Sequence, residues 1–249
     1  MSKITLRRPL IALINKLPLC HNHTKLLNIP AFSKHFGISS KLCYSSISQP
    51  FAKTPTSLIT EVAPDFTSPA VFPNDSMEPL TLSTYRGQYV LLLFYPLNFT
   101  FVCPSEILSF DKFYEEFKTR NTQVIGISVD SQFSHLAWRN TPLHRGGISK
   151  IKFPLVSDLS KSISKSYGVL TKDNTLSLRG LFLIDKEGII RHCVQNDLPL
   201  GRNVEEALRM VDALQHVESS GDVCPANWTK GKKSMKPSME GAADYLSTL

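Results

Sequence analysis

Tyr89-Val90-Leu91-Leu92-Leu93-Phe94-Tyr95-Pro96-Leu97-Asn98-Phe99-Thr100-Phe101-Val102-Cys103-Pro104 is the stretch on which the fold turns. Its first seven residues are an unbroken apolar run, as expected of a strand covered on both faces. Pro96 stiffens the loop that follows and removes a donor from it. Pro104 fits the first position of a helix, where a missing N–H costs nothing. Beyond it Ile107, Phe110, Phe113, Tyr114 and Phe117 recur at helical spacing and mark one buried face. A strand thus passes through a loop into a helix whose first turn carries a cysteine. Unpaired N–H groups and the positive end of the helix dipole favour a thiolate there. A thiolate attacks and a thiol hardly does, so the segment points to redox chemistry.

Outward from this unit the pattern alternates. Upstream, Pro64-Asp65-Phe66 and Leu80-Thr81-Leu82 read as short strands around the turn residues Pro73-Asn74-Asp75. Downstream, Val124 to Val129 is a second buried strand, Phe133 to Asn140 a short helix, Leu155-Val156 a short strand and Lys161 to Tyr167 a helix. Gly180 to Asp185 and Ile189 to Val194 form a hairpin around Lys186-Glu187-Gly188. Val204 to Val217 is an amphipathic helix, and from Ser219 onward periodicity fades into a polar tail. The order predicts one α/β domain, a mixed central sheet flanked by helices.

The formal charge of +7 is unevenly spread. Eight basic residues (Lys3, Arg7, Arg8, Lys16, Lys25, Lys34, Lys41 and Lys53) precede the first acidic one, Glu61, and the remaining 20 Lys and Arg face 21 Asp and Glu. A nucleic-acid binder concentrates its charge on the folded domain, so nucleic acid is not expected as a partner. No run of eighteen apolar residues exists, and no membrane span is expected. Residues 1–57, rich in Ser, Thr, Leu and Ile and free of acid, have the composition of a disordered organelle-targeting leader. The expected address is the mitochondrion, with a plastid-type organelle as the alternative and an uncleaved basic tail as the plain reading. Of five cysteines, Cys20 and Cys43 fall in the leader; Cys103, Cys193 and Cys224 remain, an odd number with no C-x-x-C. That speaks against a disulfide framework, a zinc site and a thioredoxin-like dithiol. Cys20-His21-Asn22-His23 lacks partners for a metal, and no metal or cofactor is expected.

A peroxide-reducing thiolate needs donors that hold the peroxide oxygens in line with sulfur, and shelter from bulk water. Thr100, three residues before Cys103, offers a hydroxyl that both accepts and donates. Pro96-x-x-x-Thr100-x-x-Cys103, followed by Pro104 and Glu106, resembles the peroxidatic signature of peroxiredoxins. Ser128-Val129-Asp130-Ser131, His135-Leu136-Ala137-Trp138, Arg179-Gly180-Leu181-Phe182 and Asn196-Asp197-Leu198-Pro199 match as well. Gly221-Asp222-Val223-Cys224-Pro225-Ala226-Asn227-Trp228 resembles the resolving segment of the typical two-cysteine class. The resemblance spans roughly residues 60 to 240.

What the resemblance implies is a thioredoxin-like fold over 58–218, a C-terminal extension over 219–249, and homodimers in rings such as decamers. Cys103 would be the peroxidatic nucleophile. Thr100 and Arg179 would polarise peroxide and hold the thiolate, Pro96 would roof the loop, and Glu106 would orient the arginine. Cys224 of the partner subunit would resolve the Cys103 sulfenic acid as an intersubunit disulfide, after the first helical turn unwinds. A thioredoxin-type reductant would reduce the bridge, and hydrogen peroxide and small organic hydroperoxides would be the substrates. Two departures stand out. Gly146-Gly147-Ile148-Ser149 replaces the Gly-Gly-Leu-Gly of hyperoxidation-sensitive members, and Tyr245-Leu246 replaces their Tyr-Phe, so partial sensitivity is expected.

Blander readings accompany these. Cys193 reads as a small strand residue, His135 as a capping or surface histidine and Trp138 as helix packing. Arg179 on its own reads as a surface charge, and Glu106 as a partner of the helix dipole. The sequons at Asn74, Asn98 and Asn227 speak weakly against secretion, since a glycan on Asn98 would block the site. A chaperone-like holdase or redox relay in high-mass assemblies is the alternative function. A disulfide oxidoreductase is disfavoured by the missing C-x-x-C.

Overall fold

The apolar run at Tyr89 becomes a strand buried on both faces, inside a seven-stranded sheet. The computed structural model describes residues 57–248, which lie in one compact unit. The predicted leader and the Cys20-His21-Asn22-His23 cluster fall outside the described residues. The strands are β1 (Thr67–Val71), β2 (Met77–Thr81), β3 (Tyr89–Phe94), β4 (Thr122–Ser128), β5 (Leu155–Ser157), β6 (Arg179–Ile184) and β7 (Ile190–Asn196), in the spatial order β2-β1-β5-β4-β3-β6-β7. β3, β4 and β5 are parallel, and the remaining pairs are antiparallel, so the sheet is mixed as predicted. The helices are α1 (Val102–Lys112), α2 (Tyr114–Thr119), α3 (Gln132–Asn140), α4 (Ser162–Ser166), α5 (Val204–Ser220) and α6 (Met239–Leu246). No helix of the described residues is long and apolar enough to cross a membrane.

β3 explains why seven apolar residues follow one another. Tyr89, Leu91, Leu93 and Tyr95 enter a core with Ile107 and Phe110 of α1 and Leu208 and Val211 of α5. Val90, Leu92 and Phe94 enter a second core with Ile163 and Tyr167 around α4. Alternation puts successive side chains on opposite faces, and both faces are covered by helix.

Four expectations need correction. The strand placed at Pro64-Asp65-Phe66 begins at Thr67 instead, where Ala70 and Val71 pair with Val156 and Leu155. The helix predicted from Pro104 through Phe117 is broken at Phe113 (φ −96°, ψ 10°). The break lets Phe110 and Phe117 stack with centroids 5.9 Å apart. Seven residues of straight helix would separate them by about 10.5 Å along the axis. α1 also begins two residues before Pro104, so the proline is third in the helix, still in the turn whose N–H groups lack partners. Finally, the tail is not featureless: α6 forms, with Ser238 as its N-cap accepting from the Gly241 N–H at 3.0 Å.

Candidate active site

The chain direction of two neighbouring strands places the site. β3 runs out at Phe94 into the loop and α1, so Cys103 lies just beyond the end of that strand. β6 runs antiparallel to β3 with Leu181 opposite Leu93, which sets Arg179 opposite Tyr95. Arg179 and Leu181 share a face, the one that receives α1. Glu106 follows Cys103 by three residues and so shares its side of the helix. The three groups therefore converge without any loop having to be placed specially.

The convergence is close. Arg179 Nη1 lies 3.5 Å from Cys103 Sγ and donates to Glu106 Oε2 at 2.6 Å. Its Nε donates to the Leu198 carbonyl at 2.6 Å, so the Asn196–Pro199 loop fixes the guanidinium plane. Cys103 is 1% exposed and the Arg179 side chain 4%, so the surface-charge reading of Arg179 is set aside. Glu106 is likewise buried and is far more than a helix-dipole partner.

A second guanidinium, which the sequence did not single out, completes the cluster. Arg202 donates from its backbone N–H and its Nε to Glu106 Oε1, both at 2.8 Å, and from Nη2 to Glu106 Oε2 at 2.9 Å. Its Nη1 reaches the carbonyls of Phe94 and Gly180 at 2.8 and 2.6 Å, tying together the ends of β3 and the start of β6. Burial alone would raise the Glu106 carboxyl, but the Arg202 hydrogen bonds and the charges of Arg202 and Arg179 hold it below the usual carboxylate range. Burial lowers the Arg202 guanidinium, and Glu106 opposes that shift. Two buried cations thus share one carboxylate, leaving one unit of positive charge beside the sulfur.

The Pro96–Thr100 loop that leads into α1 is tightly anchored. Pro96 is buried, and the Thr100 hydroxyl donates to the Leu97 carbonyl at 2.9 Å. Asn98 donates from its backbone to Asp130 Oδ2 at 2.9 Å and from its amide to Ser134 Oγ at 2.9 Å. Phe99 next to it sits at φ +52°, a left-handed conformation that a bulky side chain adopts only when its surroundings impose it. Asn98 is 6% exposed, which leaves no room for a glycan there.

His135 is not a surface histidine: it is fully buried beneath this loop. Its Nε2 donates to the Val156 carbonyl at 3.1 Å, so Nδ1 is the acceptor facing the Asn98 amide at 3.1 Å. Burial lowers the imidazole to about 4, against opposing pulls from the Asp130 charge and the Val156 carbonyl. Between pH 4 and 6.5 the unfolded chain therefore binds a proton that the folded chain refuses, so stability falls as the pH drops through that window. The loss for this one group is on the order of 3 kcal/mol. Denaturant midpoints of the wild type and His135→Asn at pH 7 and 4.5 check this. The variant, less stable at pH 7, is expected to lose distinctly less on acidification, and parallel losses would contradict it.

Trp138 packs as expected, fully buried against Tyr95 and Phe99. Its Nε1 also donates to the Gly146 carbonyl at 2.9 Å and so positions the Gly146–Ser149 loop. In that loop a Cβ on Gly147 would lie 1.8 Å from the Thr141 carbonyl oxygen. Cys193 lies exposed on β7, as a strand residue. Cys224 is half-buried beyond the end of α5, a free thiol like Cys103.

Known proteins resemble the chain along nearly all of the described residues. A model described as the AhpC/TSA family matches residues 59–193, and one described as the C-terminal domain of 1-Cys peroxiredoxin matches residues 213–248. A chloroplastic 2-Cys peroxiredoxin of Hordeum vulgare is 52% identical over 193 residues, 77% of this chain and 91% of that one. The reduced 2-Cys peroxiredoxin of Plasmodium vivax superposes with a TM-score of 0.76 at 54% identity, covering 77% of this chain and 100% of that one. The mitochondrial 2-Cys peroxiredoxin of Plasmodium falciparum does so with a TM-score of 0.64 at 50% identity, covering 67% and 99%.

Proposed function

Since the chain belongs to the AhpC/TSA family and is a two-cysteine peroxiredoxin, a thiol peroxidase, we propose that Cys103 is its peroxidatic nucleophile and that Cys224 of the partner subunit resolves it. The observation that carries this assignment is the Arg179 guanidinium 3.5 Å from Cys103 Sγ, in a buried cluster with one surplus positive charge. The Cys103 thiolate attacks one peroxide oxygen. The S–O bond forms as the O–O bond breaks, two electrons pass from sulfur to peroxide, and the other oxygen leaves as hydroxide or alkoxide and takes up a proton. Arg179 stabilises the charge shared by sulfur and the departing oxygen. The Thr100 hydroxyl holds the peroxide in line, Pro96 keeps water off the loop, and Glu106 with Arg202 fixes the Arg179 plane. Cys103 is then a sulfenic acid, on which the Cys224 thiolate closes a disulfide with loss of water.

Proteins of this family reduce peroxides with thioredoxin-type dithiols and form oligomers. For this chain we expect dimers assembled into rings, with residues 58–218 as the peroxidase domain and 219–249 as the resolving extension. Residues 1–57 serve as a mitochondrial leader in this reading. Their lack of acid and the similarity to a mitochondrial relative support it, while a chloroplastic relative keeps the plastid address as the alternative. The chaperone-like alternative is not favoured by these relatives. The test is peroxide-driven NADPH consumption coupled through thioredoxin and its reductase, in wild type, Cys103→Ser and Cys224→Ser. Turnover is expected in the wild type alone, and turnover retained by Cys103→Ser overturns the assignment. Fusing residues 1–57 to a reporter tests the address by its import.

Partial sensitivity to overoxidation, lower than in a fully matched member, is expected from two side chains. Ser149 stands at φ +55°, where glycine avoids a penalty of about 1 kcal/mol. Leu246 is 61% exposed, on a helix that buries none of its residues within this chain. If the Gly146–Ser149 loop and α6 cover α1 as in the hyperoxidation-sensitive members that the sequence resembles, both departures loosen that cover. Ser149→Gly combined with Leu246→Phe is expected to lower the H2O2 dose that converts Cys103 to its sulfinate, followed by mass with reductant present. An unchanged dose contradicts this.

A further inference from the structure

The resolving cysteine does not hang free. Past α5 the chain turns back and lies along that helix, with Cys224 Sγ 3.7 Å from the Ala213 carbonyl oxygen. A bridge between Val223 and Met235 closes the segment into a loop, with N–H···O distances of 2.8 and 3.0 Å. Trp228 plugs that loop: it is 3% exposed, and its Nε1 donates to the Lys232 carbonyl at 3.0 Å. Two side chains of α5 hold the plug. Arg209 Nη1 donates to the Trp228 carbonyl at 2.8 Å. The His216 ring lies against the indole with centroids 4.8 Å apart and planes 31° from parallel.

We propose that the Arg209–Trp228 bond and the His216–Trp228 stack form a latch on the resolving segment, and that its opening sets the rate at which the Cys103 sulfenic acid becomes a disulfide. This rests on the assignment of Cys224 above. A thiol that donates its S–H to the Ala213 carbonyl has its proton held and its path toward another subunit constrained by the same contacts. Burial also pushes the docked thiol up, with Arg209 opposing and Asp222 adding to the shift, so the docked form is the poorer nucleophile. Leaving α5 is therefore required before Cys224 attacks the sulfenic sulfur, forms the S–S bond and releases water.

The latch is built to be weak. His216 Nε2 is shielded from solvent and has no hydrogen-bond partner among the described residues, so the stacked ring carries the cost of an unpaired buried polar atom. Arg209 is shared as well, since Glu206 takes two of its hydrogen bonds at 2.6 and 2.7 Å. An all-carbon ring at 216 would hold the tryptophan harder, and a methyl group would hardly hold it at all. His216 is a positioning residue: it acts on the speed of the second chemical step, through Trp228.

The experiment mixes the reduced full chain with one equivalent of H2O2 and quenches it at intervals, for wild type, His216→Ala and His216→Phe. Sulfenic acid is trapped with a dione reagent and the intersubunit disulfide is read by non-reducing electrophoresis. Sulfenic acid is expected to form equally fast in all three proteins. Disulfide formation is expected to be about tenfold faster in His216→Ala and several-fold slower in His216→Phe, the scale of one unpaired polar group or one aromatic contact. Opposite shifts are what a general loosening of the fold cannot produce. Equal disulfide rates in the three proteins, or both variants shifting in one direction, overturn the latch while leaving the roles of the two cysteines intact. Absence of the sulfenic acid, or a disulfide that persists in Cys224→Ser, overturns both.

Discussion

Arg179→Ala is expected to slow the reaction of Cys103 with H2O2 by about 10²–10³-fold, the usual effect of deleting a buried donor aimed at developing charge. Arg179 Nη1 is 3.5 Å from the sulfur. The surplus charge of the cluster exists because Arg179 and Arg202 share one carboxylate, and Arg179 is the member that touches the sulfur. Removing it leaves Glu106 and Arg202 neutralising each other, with only the helix N-terminus, and no side-chain charge, to balance a sulfur anion or a departing hydroxide. Arg179→Lys keeps the charge but not the planar fork that reaches Leu198 and Glu106 together, so an intermediate loss is expected. Stopped-flow rates against H2O2 concentration measure this directly. A wild-type slope in Arg179→Ala would remove the guanidinium from the chemistry.

Glu106→Ala is expected to cost about 3–5 kcal/mol of stability, because it strands two buried guanidiniums without a counter-charge. Few side chains in the chain are so committed: both Glu106 oxygens accept from two donors each, at 2.6 to 2.9 Å. The Phe94 and Gly180 carbonyls still hold Arg202, so the loss should appear as a lower denaturant midpoint and not as an unfolded chain. The peroxide rate should fall with it, since Glu106 orients the donor that faces Cys103. A midpoint within about 0.5 kcal/mol of wild type, as for an ordinary surface substitution, would mean that the cluster does not hold the site together.

How much of this was legible in the sequence depended on whether burial left a repeating mark. β3 did, because a strand covered on both faces must be apolar at every position. α5 did, through its one-sided pattern, although it runs three residues beyond the expected Val217, to Ser220. α6 did not: none of its residues is buried in this chain, so no apolar stripe announces it. The break at Phe113 was invisible because Phe113, Tyr114 and Phe117 continue the helical spacing of Ile107 and Phe110, and only the stacking of Phe110 on Phe117 requires the bend.

The site divides in the same way. Cys103, Thr100, Pro96 and Glu106 lie within eleven consecutive residues, where local spacing speaks. Arg202 was missed because a lone arginine between Gly201 and Asn203 reads as a solvated loop charge. Its burial arises only when α1 closes over the start of α5. The one cue was the Asn203 N-cap of α5, which accepts the Glu206 N–H at 3.2 Å and so fixes the direction in which the preceding residue leaves the helix. His135 was misjudged for a related reason: its position at the start of a short helix looked exposed, while the Asn98 amide and the Val156 carbonyl that satisfy it come from elsewhere in the chain.

The most direct test of the two-cysteine assignment mixes Cys103→Ser chains with isotopically labelled Cys224→Ser chains, allows subunits to exchange, and adds one equivalent of H2O2. The expected product is a covalent dimer of one labelled and one unlabelled chain, whose only cross-linked peptide joins Cys103 of one to Cys224 of the other. A mixture that stays monomeric under denaturing, non-reducing conditions, or a bridge that runs through Cys193, would contradict it.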